Sequence, residues 1–220
     1  MRKIITTTFV TLDGVMQAPG GPEEDKTNNF KSGGWSFHYW DEMMGNVMSD
    51  FMKRPFDLLL GRRTYEIFAA HWPFTKDDPE VADKFNSTRK YVVSHKPMVL
   101  EWQNSTLIKG DAPTELRKLK EQDGNDLWVH GSGNLIQTLL ANDLIDTLYV
   151  WTFPVTVGNG KRLFAEGSKP VAWKLIDSST ATSGVIISRY EPAGELKVGS
   201  FAIDKPTEAE LTRRKRLKDE

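Results

Sequence analysis

Residues 3–13 mix β-branched and apolar side chains, Ile4, Ile5, Thr6, Thr7, Thr8, Phe9 and Val10, and stop at the turn pair Asp13-Gly14. That is the pattern of a strand buried over much of its surface. From Trp40 onward the apolar positions Met43, Met44, Val47, Met48, Phe51 and Met52 recur at intervals of three and four, as on a helix with one buried face, and Pro55 ends it. Residues 56–60 form a short apolar strand and residues 62–70 a second helix. The alternation continues with strands at 91–94, 107–108 (an edge), 126–130 and 145–153, and helices at 114–122 and 135–141. Residues 171–178 and 184–190 read as a closing antiparallel pair. Strand–helix alternation predicts an α/β fold of three layers: a central, mostly parallel mixed sheet with helices on both faces and antiparallel strands added at the C-terminal end.

Two stretches break the alternation. Residues 17–34 collect Pro19, Gly20, Gly21, Pro22, Asn28, Asn29, Gly33 and Gly34, and so long a loop inside a compact domain is either disordered or functional, with an active-site lid the usual case. The other is the end of the chain. A single domain over 1–192 is expected, followed by a charged extension over 193–220 that is helical at 207–219. Acids lead and most bases follow in that last segment, which suits a helix macrodipole and a solvated surface rather than a nucleic-acid arm.

Composition narrows the function. With 220 residues, 39% hydrophobic and 27% charged, the chain can bury a core. A net charge of -1 gives no electrostatic case for nucleic acid or an anionic membrane. There is no cysteine, which removes disulfides, thiolate nucleophiles and cysteine-built zinc sites. His38, His71, His95 and His130 show no paired ligand spacing, so no metal is expected. His130 follows Trp128-Val129 and is expected to be a hydrogen-bonded buried histidine. No apolar run approaches the length of a membrane span, and a cytoplasmic protein is expected.

Two segments share one mechanical design: apolar strand, glycine turn, helix. They are Leu58-Leu59-Leu60-Gly61-Arg62-Arg63-Thr64 and Leu127-Trp128-Val129-His130-Gly131-Ser132-Gly133-Asn134. A helix starting just past a strand's carboxyl end offers free N–H groups and the positive end of its dipole to an anion, and glycine lets a phosphate approach the backbone. Taken alone, Gly131-x-Gly133 serves a tight turn as readily as a phosphate. Arg62, Arg63 and Thr64 at the other turn suit phosphate oxygens, and two such turns on one sheet edge favour a dinucleotide. Ser94, His95 and Lys96 at a third strand end fit either a ribose phosphate or a plain turn into Pro97.

These motifs, with Thr11-Leu12-Asp13-Gly14, Tyr91-Val92-Val93-Ser94, Leu144-Ile145-Asp146, Phe153-Pro154-Val155 and Gly158-Asn159-Gly160-Lys161-Arg162-Leu163-Phe164, resemble in order and spacing the dihydrofolate-reductase-like superfamily. The resemblance is nearest to the reductase domain of the bifunctional riboflavin-biosynthesis deaminase-reductase and covers residues 2 to about 191. It implies NADPH as hydride donor and reduction of a small planar heterocycle, a pterin or a phosphorylated ribosylaminouracil. By that resemblance Gly61, Arg62, Arg63, Thr64, Gly131, Ser132, Gly133 and Asn134 hold the dinucleotide phosphates and Ser94 lies beside the ribose phosphate. Val10 and its neighbours to Asp13 approach the nicotinamide, as does the stretch from Pro154 to Gly160.

For the substrate, Trp35 and Trp40, with Phe153 and Pro154, are the candidate pocket walls; Trp35, Phe37, Tyr39 and Trp40 serve equally well as core residues that pin the loop's exit. A proton donor is sought among Asp13, Asp41 and Asp50, in that order; the competing role for Asp13 is capping of its own turn. A true dihydrofolate reductase carries a carboxylate early in the helix before its Gly-Arg-x-Thr turn; counting back from Gly61, that position here is near Gly45. The alternative reading is a non-catalytic nucleotide- or flavin-binding regulator on the same scaffold. A homodimer is compatible with either.

Overall fold

The computed structural model describes residues 1–201 and 205–218. Eight strands form one sheet in the order β4-β3-β2-β5-β1-β6-β8-β7: β1 (Ile4–Thr11), β2 (Phe56–Gly61), β3 (Lys90–Val93), β4 (Ser105–Ile108), β5 (Asp126–His130), β6 (Thr147–Phe153), β7 (Trp173–Thr180) and β8 (Ile186–Pro192). The pairings from β4 through β6 are parallel, and β8 and β7 add to β6 antiparallel. The layout matches the mixed α/β sheet expected from the sequence.

The helices are α1 (Glu42–Met52), α2 (Arg62–His71), α3 (Pro79–Ser87), α4 (Ala112–Glu121), α5 (Gly133–Ala141) and α6 (Glu208–Arg216). α1, α2 and α3 bury Met44, Phe51, Tyr65, Val81 and Phe85 against one face of the sheet. α4 and α5 bury Leu116, Leu119, Leu135, Ile136 and Leu139 against the other. The central strands are buried on both sides: in β2, Leu58 and Leu60 face the first cluster and Leu59 the second. A strand buried on both faces reads as a continuous apolar run, not an alternating one.

Helix α3 is absent from the hydrophobic reading. Its signal is local: Asp78 caps it by accepting from Val81 N–H, and Pro79 fills the first turn, where its missing N–H costs nothing. At the C-terminus α6 begins one residue later than expected, after its cap Thr207, ends at Arg216, and buries no side chain; residue 219 of the expected helix, and residues 202–204 and 220 of the extension, lie outside the described residues. No helix among the described residues is long and apolar enough to cross a membrane.

Two buried bases stand out in the core. Lys90 is fully buried; its ammonium donates to the carbonyls of Asn86 (2.9 Å), Thr88 (2.8 Å) and Gln103 (3.1 Å) and sits 4.2 Å from the Trp102 ring centroid. Burial pushes its pKa down to about 8, so it stays charged at neutral pH and ties α3, β3 and the 102–104 turn together. His130, at the end of β5, stacks on Trp128 (5.6 Å, 12°) and abuts Phe85. The expected hydrogen bond is missing at Nε2, which is buried without a partner. Burial lowers its pKa from 6.5 to about 4.

Lys90→Met, which leaves three carbonyls without their donor, is expected to cost roughly 2–4 kcal/mol in urea unfolding; a loss within 0.5 kcal/mol of zero (about the scatter of neutral surface substitutions) would contradict the account. His130 sets a pH dependence. The unfolded chain takes up a proton near pH 6.5 and the folded one only near 4, so stability is full above 6.5 and declines as pH falls toward 4. Between pH 7 and 5 the wild type should lose roughly 2 kcal/mol from this group, and His130→Phe should lose visibly less. Identical acid slopes for the two proteins would show that the histidine is protonated in the fold.

Candidate functional site

β2 and β5 lie side by side and parallel, yet the chain leaves them toward opposite faces. From Gly61 it enters α2, whose Tyr65 packs in the first cluster, and from His130 it enters α5, whose Leu135 and Ile136 pack in the second. Such a reversal opens a crevice at the carboxyl ends of the two strands, where open α/β sheets take their ligands. Both helix amino-ends converge there: the Gly61 N–H donates to Ser132 Oγ at 3.0 Å. α1, α3, α4 and α6 each carry a glutamate in the first turn, whereas the first turns of α2 and α5 hold no acid. The two helices that open on the crevice therefore lack the usual counter-charge to their dipoles.

The turn into α5 is conformationally demanding. Gly131 has φ +62°, and a side chain added there would project into space with nothing within 4 Å. Ser132 also has a left-handed backbone, φ 60° and ψ 52°, at a cost of about 1 kcal/mol for a residue with a Cβ, and its bond to Gly61 holds it. Gly133 is covered by Met16, whose sulfur would lie 3.3 Å from an added Cβ. Asn134 is exposed, Thr64 half-exposed. Ser94 follows Val93, the register partner of Gly61, but its hydroxyl donates to the Lys96 carbonyl (2.8 Å) and accepts the Lys96 N–H, which is the turn geometry. Val10 is buried in the second cluster, so only its backbone borders the site.

The 17–34 loop is docked. Gln17, buried inside it, donates to the carbonyls of Asp25 and Thr27 (3.0 Å each) and accepts the Lys161 N–H (3.1 Å). Lys161 Nζ reaches Asp25 (2.5 Å) and the Thr27 hydroxyl (2.7 Å). Arg63, on α2, reaches the same two residues at 3.7 and 3.3 Å, and Arg62 pairs with Glu66 at 2.7 Å. Asp25, Gln17, Thr27 and Lys161 have no assigned role in the sequence reading. The only signal for Lys161 is its place in the Gly-Asn-Gly-Lys-Arg motif, and nothing local marks Asp25.

The three carboxylates expected to donate protons are engaged otherwise. Asp13 accepts from the Thr11 hydroxyl (2.5 Å) and from the N–H groups of Gly158 (2.7 Å) and Val157 (3.3 Å), and the Thr11 bond leads in holding its pKa below the ordinary range. It pins the 157–158 backbone, not only its own turn. Asp41 caps α1 through Met44 N–H and accepts from Thr182 (2.7 Å), which lowers it to about 2. Asp50 is exposed on α1 and lowered by its bond to Lys53. A carboxylate held ionised at neutral pH is a poor proton donor; these bonds give Asp13 and Asp41 positioning roles and leave Asp50 paired on the surface.

Burial divides the residues of the substrate side. Phe153 is fully buried, and Trp35 is buried with its indole N–H on the Gln17 carbonyl at 2.8 Å; they form the floor beneath the surface. Trp40 is 47% exposed and stacks on buried Trp151 (6.0 Å, 14°), and Pro154 is exposed. Gly45 lies beside Trp40, whose indole nitrogen would sit 4.0 Å from a Cβ there. A polar groove of about 600 Å³ lined by Lys84, Arg89, Asn104 and Asn125 lies at the opposite, amino-terminal edge of β2 and β3. It faces neither helix amino-end nor glycine turn, so the crevice is the better candidate.

The family model of the RibD C-terminal domain matches residues 2–187. Protein YyaP of Bacillus subtilis (strain 168) is 28% identical over 188 residues, covering 84% of this chain and 92% of that protein. A protein of Shewanella sp. PV-4 described as a riboflavin biosynthesis protein superposes with a TM-score of 0.61 at 23% identity, over 87% of this chain and 99% of that one. Dihydrofolate reductase from Enterococcus faecalis, solved with NADP(H) and RAB-propyl, gives 0.55 at 14% identity over 87% and 96%. At such identities the two structures establish a dihydrofolate-reductase-like fold. The chain belongs to the RibD C-terminal domain family.

Proposed function

We propose that the protein is an NADPH-dependent reductase of a small planar heterocycle, of the pterin or phosphorylated ribosylaminouracil type. The observation that carries this reading is the meeting of two acid-free helix amino-ends, bridged from Gly61 to Ser132, at one strand-end crevice. Family membership and the NADP(H) held by the Enterococcus faecalis enzyme on the same fold support it.

The residues present fit the cofactor. The space before Gly131 is free, its left-handed backbone suits glycine, and the crevice is bordered by Arg62, Arg63 and Thr64. Gly61, Thr64 and the 131–134 turn would hold the diphosphate, and Arg63, at the exposed corner, the 2′-phosphate of the adenosine ribose. When bound, NADPH would supply the hydride.

The chain's task is alignment and exclusion of water. Asp13 fixes the backbone of Val157 and Gly158 against the end of β1. Met16 and Gln17 seat the loop over α5 and against Lys161. Trp40, backed by Trp151, offers a flat, half-exposed face on which a heterocycle can stack. With Asp13, Asp41 and Asp50 all engaged as acceptors, the matching proton would come from solvent water.

Nicotinamide fluorescence should show saturable NADPH binding; none at high micromolar cofactor would remove the reading. Gly131→Ala places a methyl in the phosphate space on a strained backbone, and should weaken NADPH by about tenfold or more. Unchanged affinity would exclude that turn. Trp40→Ala should raise KM for any heterocycle that supports NADPH oxidation while leaving NADPH affinity within about twofold. An equal loss of both would move Trp40 to the cofactor side. Saturable NADPH binding without oxidation by any pterin or aminopyrimidine would favour a nucleotide-binding regulator.

A further inference from the structure

α2 carries its charges the wrong way round. Arg62 and Arg63 open the helix, where the macrodipole is positive, and no acid stands in that first turn. Each cation has been given a carboxylate from elsewhere. Arg62 takes Glu66 of its own helix at 2.7 Å. Arg63 takes Asp25 of the loop at the longer distance of 3.7 Å, with the Thr27 hydroxyl at 3.3 Å. The shorter partner of Asp25 is Lys161 at 2.5 Å. Burial alone would raise the Asp25 pKa, but the bonds from Lys161 and Thr27 outweigh it and leave the group ionised.

We infer that Asp25 is a specificity-determining residue: an internal carboxylate that stands in for a ligand phosphate at Arg63 and sets how much the protein gains from a dinucleotide carrying the 2′-phosphate. The inference rests on the NADPH reading above. A 2′-phosphate dianion arriving at Arg63 takes over a contact that Asp25 holds only loosely, while Lys161 keeps Asp25 from following. The carboxylate left nearby opposes the phosphate, so part of the attraction is cancelled. A dinucleotide without that phosphate leaves the Arg63–Asp25 contact in place and neither gains nor loses by it. Because Asp25 and Thr27 are the loop's links to Arg63, filling the phosphate position also loosens the loop tip from α2. Asparagine at position 25 keeps the oxygen that accepts from Thr27 and puts an uncharged amide NH2 where Lys161 and Arg63 now meet the second carboxylate oxygen.

The test titrates the full chain with NADPH and with NADH for the wild type, Asp25→Asn, Arg63→Ala and the double variant. Asp25→Asn should tighten NADPH roughly three- to fivefold at low salt, the scale of a partly exposed ion pair, and leave NADH unchanged. The gain should shrink at high salt and vanish in the Arg63→Ala background. Hydrogen exchange in residues 22–29 should rise when NADPH binds the wild type, and be raised already in ligand-free Asp25→Asn. Equal or weaker NADPH binding by Asp25→Asn, an equal gain without Arg63, or added protection of 22–29 on binding would overturn the inference while NADPH binding itself stood. If no variant bound NADPH, the cofactor reading would fall and this one with it.

Discussion

A single hydrogen bond, from the Gly61 N–H to the Ser132 hydroxyl oxygen, joins the two halves of the sheet's functional edge. It spans adjacent strands whose chains depart to opposite faces, and it steadies the left-handed serine that aims the start of α5. Without that convergence each glycine turn would be an ordinary strand-to-helix connection. With it, two helix dipoles and their unsatisfied N–H groups address the same few ångströms of space. The rest of the site is arranged around this point: Met16 over α5, Arg63 at the outer corner, and the loop folded back on Lys161.

Electrostatics explains why the surrounding carboxylates are where they are. The loop, the turn after β6 and the start of α1 are irregular backbone close to the strand ends, and irregular backbone needs acceptors for its N–H groups. Asp13 and Asp41 meet that need, one binding the 157–158 amides and the other capping α1 while gripping the 182–183 turn. Accepting several donors is what drives their pKa values down. The same bonds that make them good struts make them poor acids, so the chemistry assigned to this chain rests on a bound reductant and on alignment.

The architecture could be read from the chain because its strands and helices differ in period and are separated by strong punctuation. Gly61, Pro55 and Asp13-Gly14 mark boundaries that the structure keeps. Helix α3 escaped because its apolar face is short and its evidence is a cap, Asp78-Pro79, rather than a stripe. The two glycine turns and their place on one sheet edge were visible as motifs; the departure of their helices to opposite faces was not, since it depends on β5 inserting between β2 and β1. Side-chain roles were harder still. Trp35 and Phe153 look like pocket walls in a sequence, yet tertiary packing turned both inward. Asp25 and Lys161 stand far apart in the chain, and only the folded loop brings them to 2.5 Å.

The shared-edge geometry can be watched without reference to any reaction. Backbone amide resonances of Gly61 and of residues 131–134 should move together as NADPH is added, following one saturation curve, while amides lining the opposite groove near Arg89 stay still. Shifts confined to one of the two turns, or centred on that opposite groove, would contradict a diphosphate held between the two helix ends.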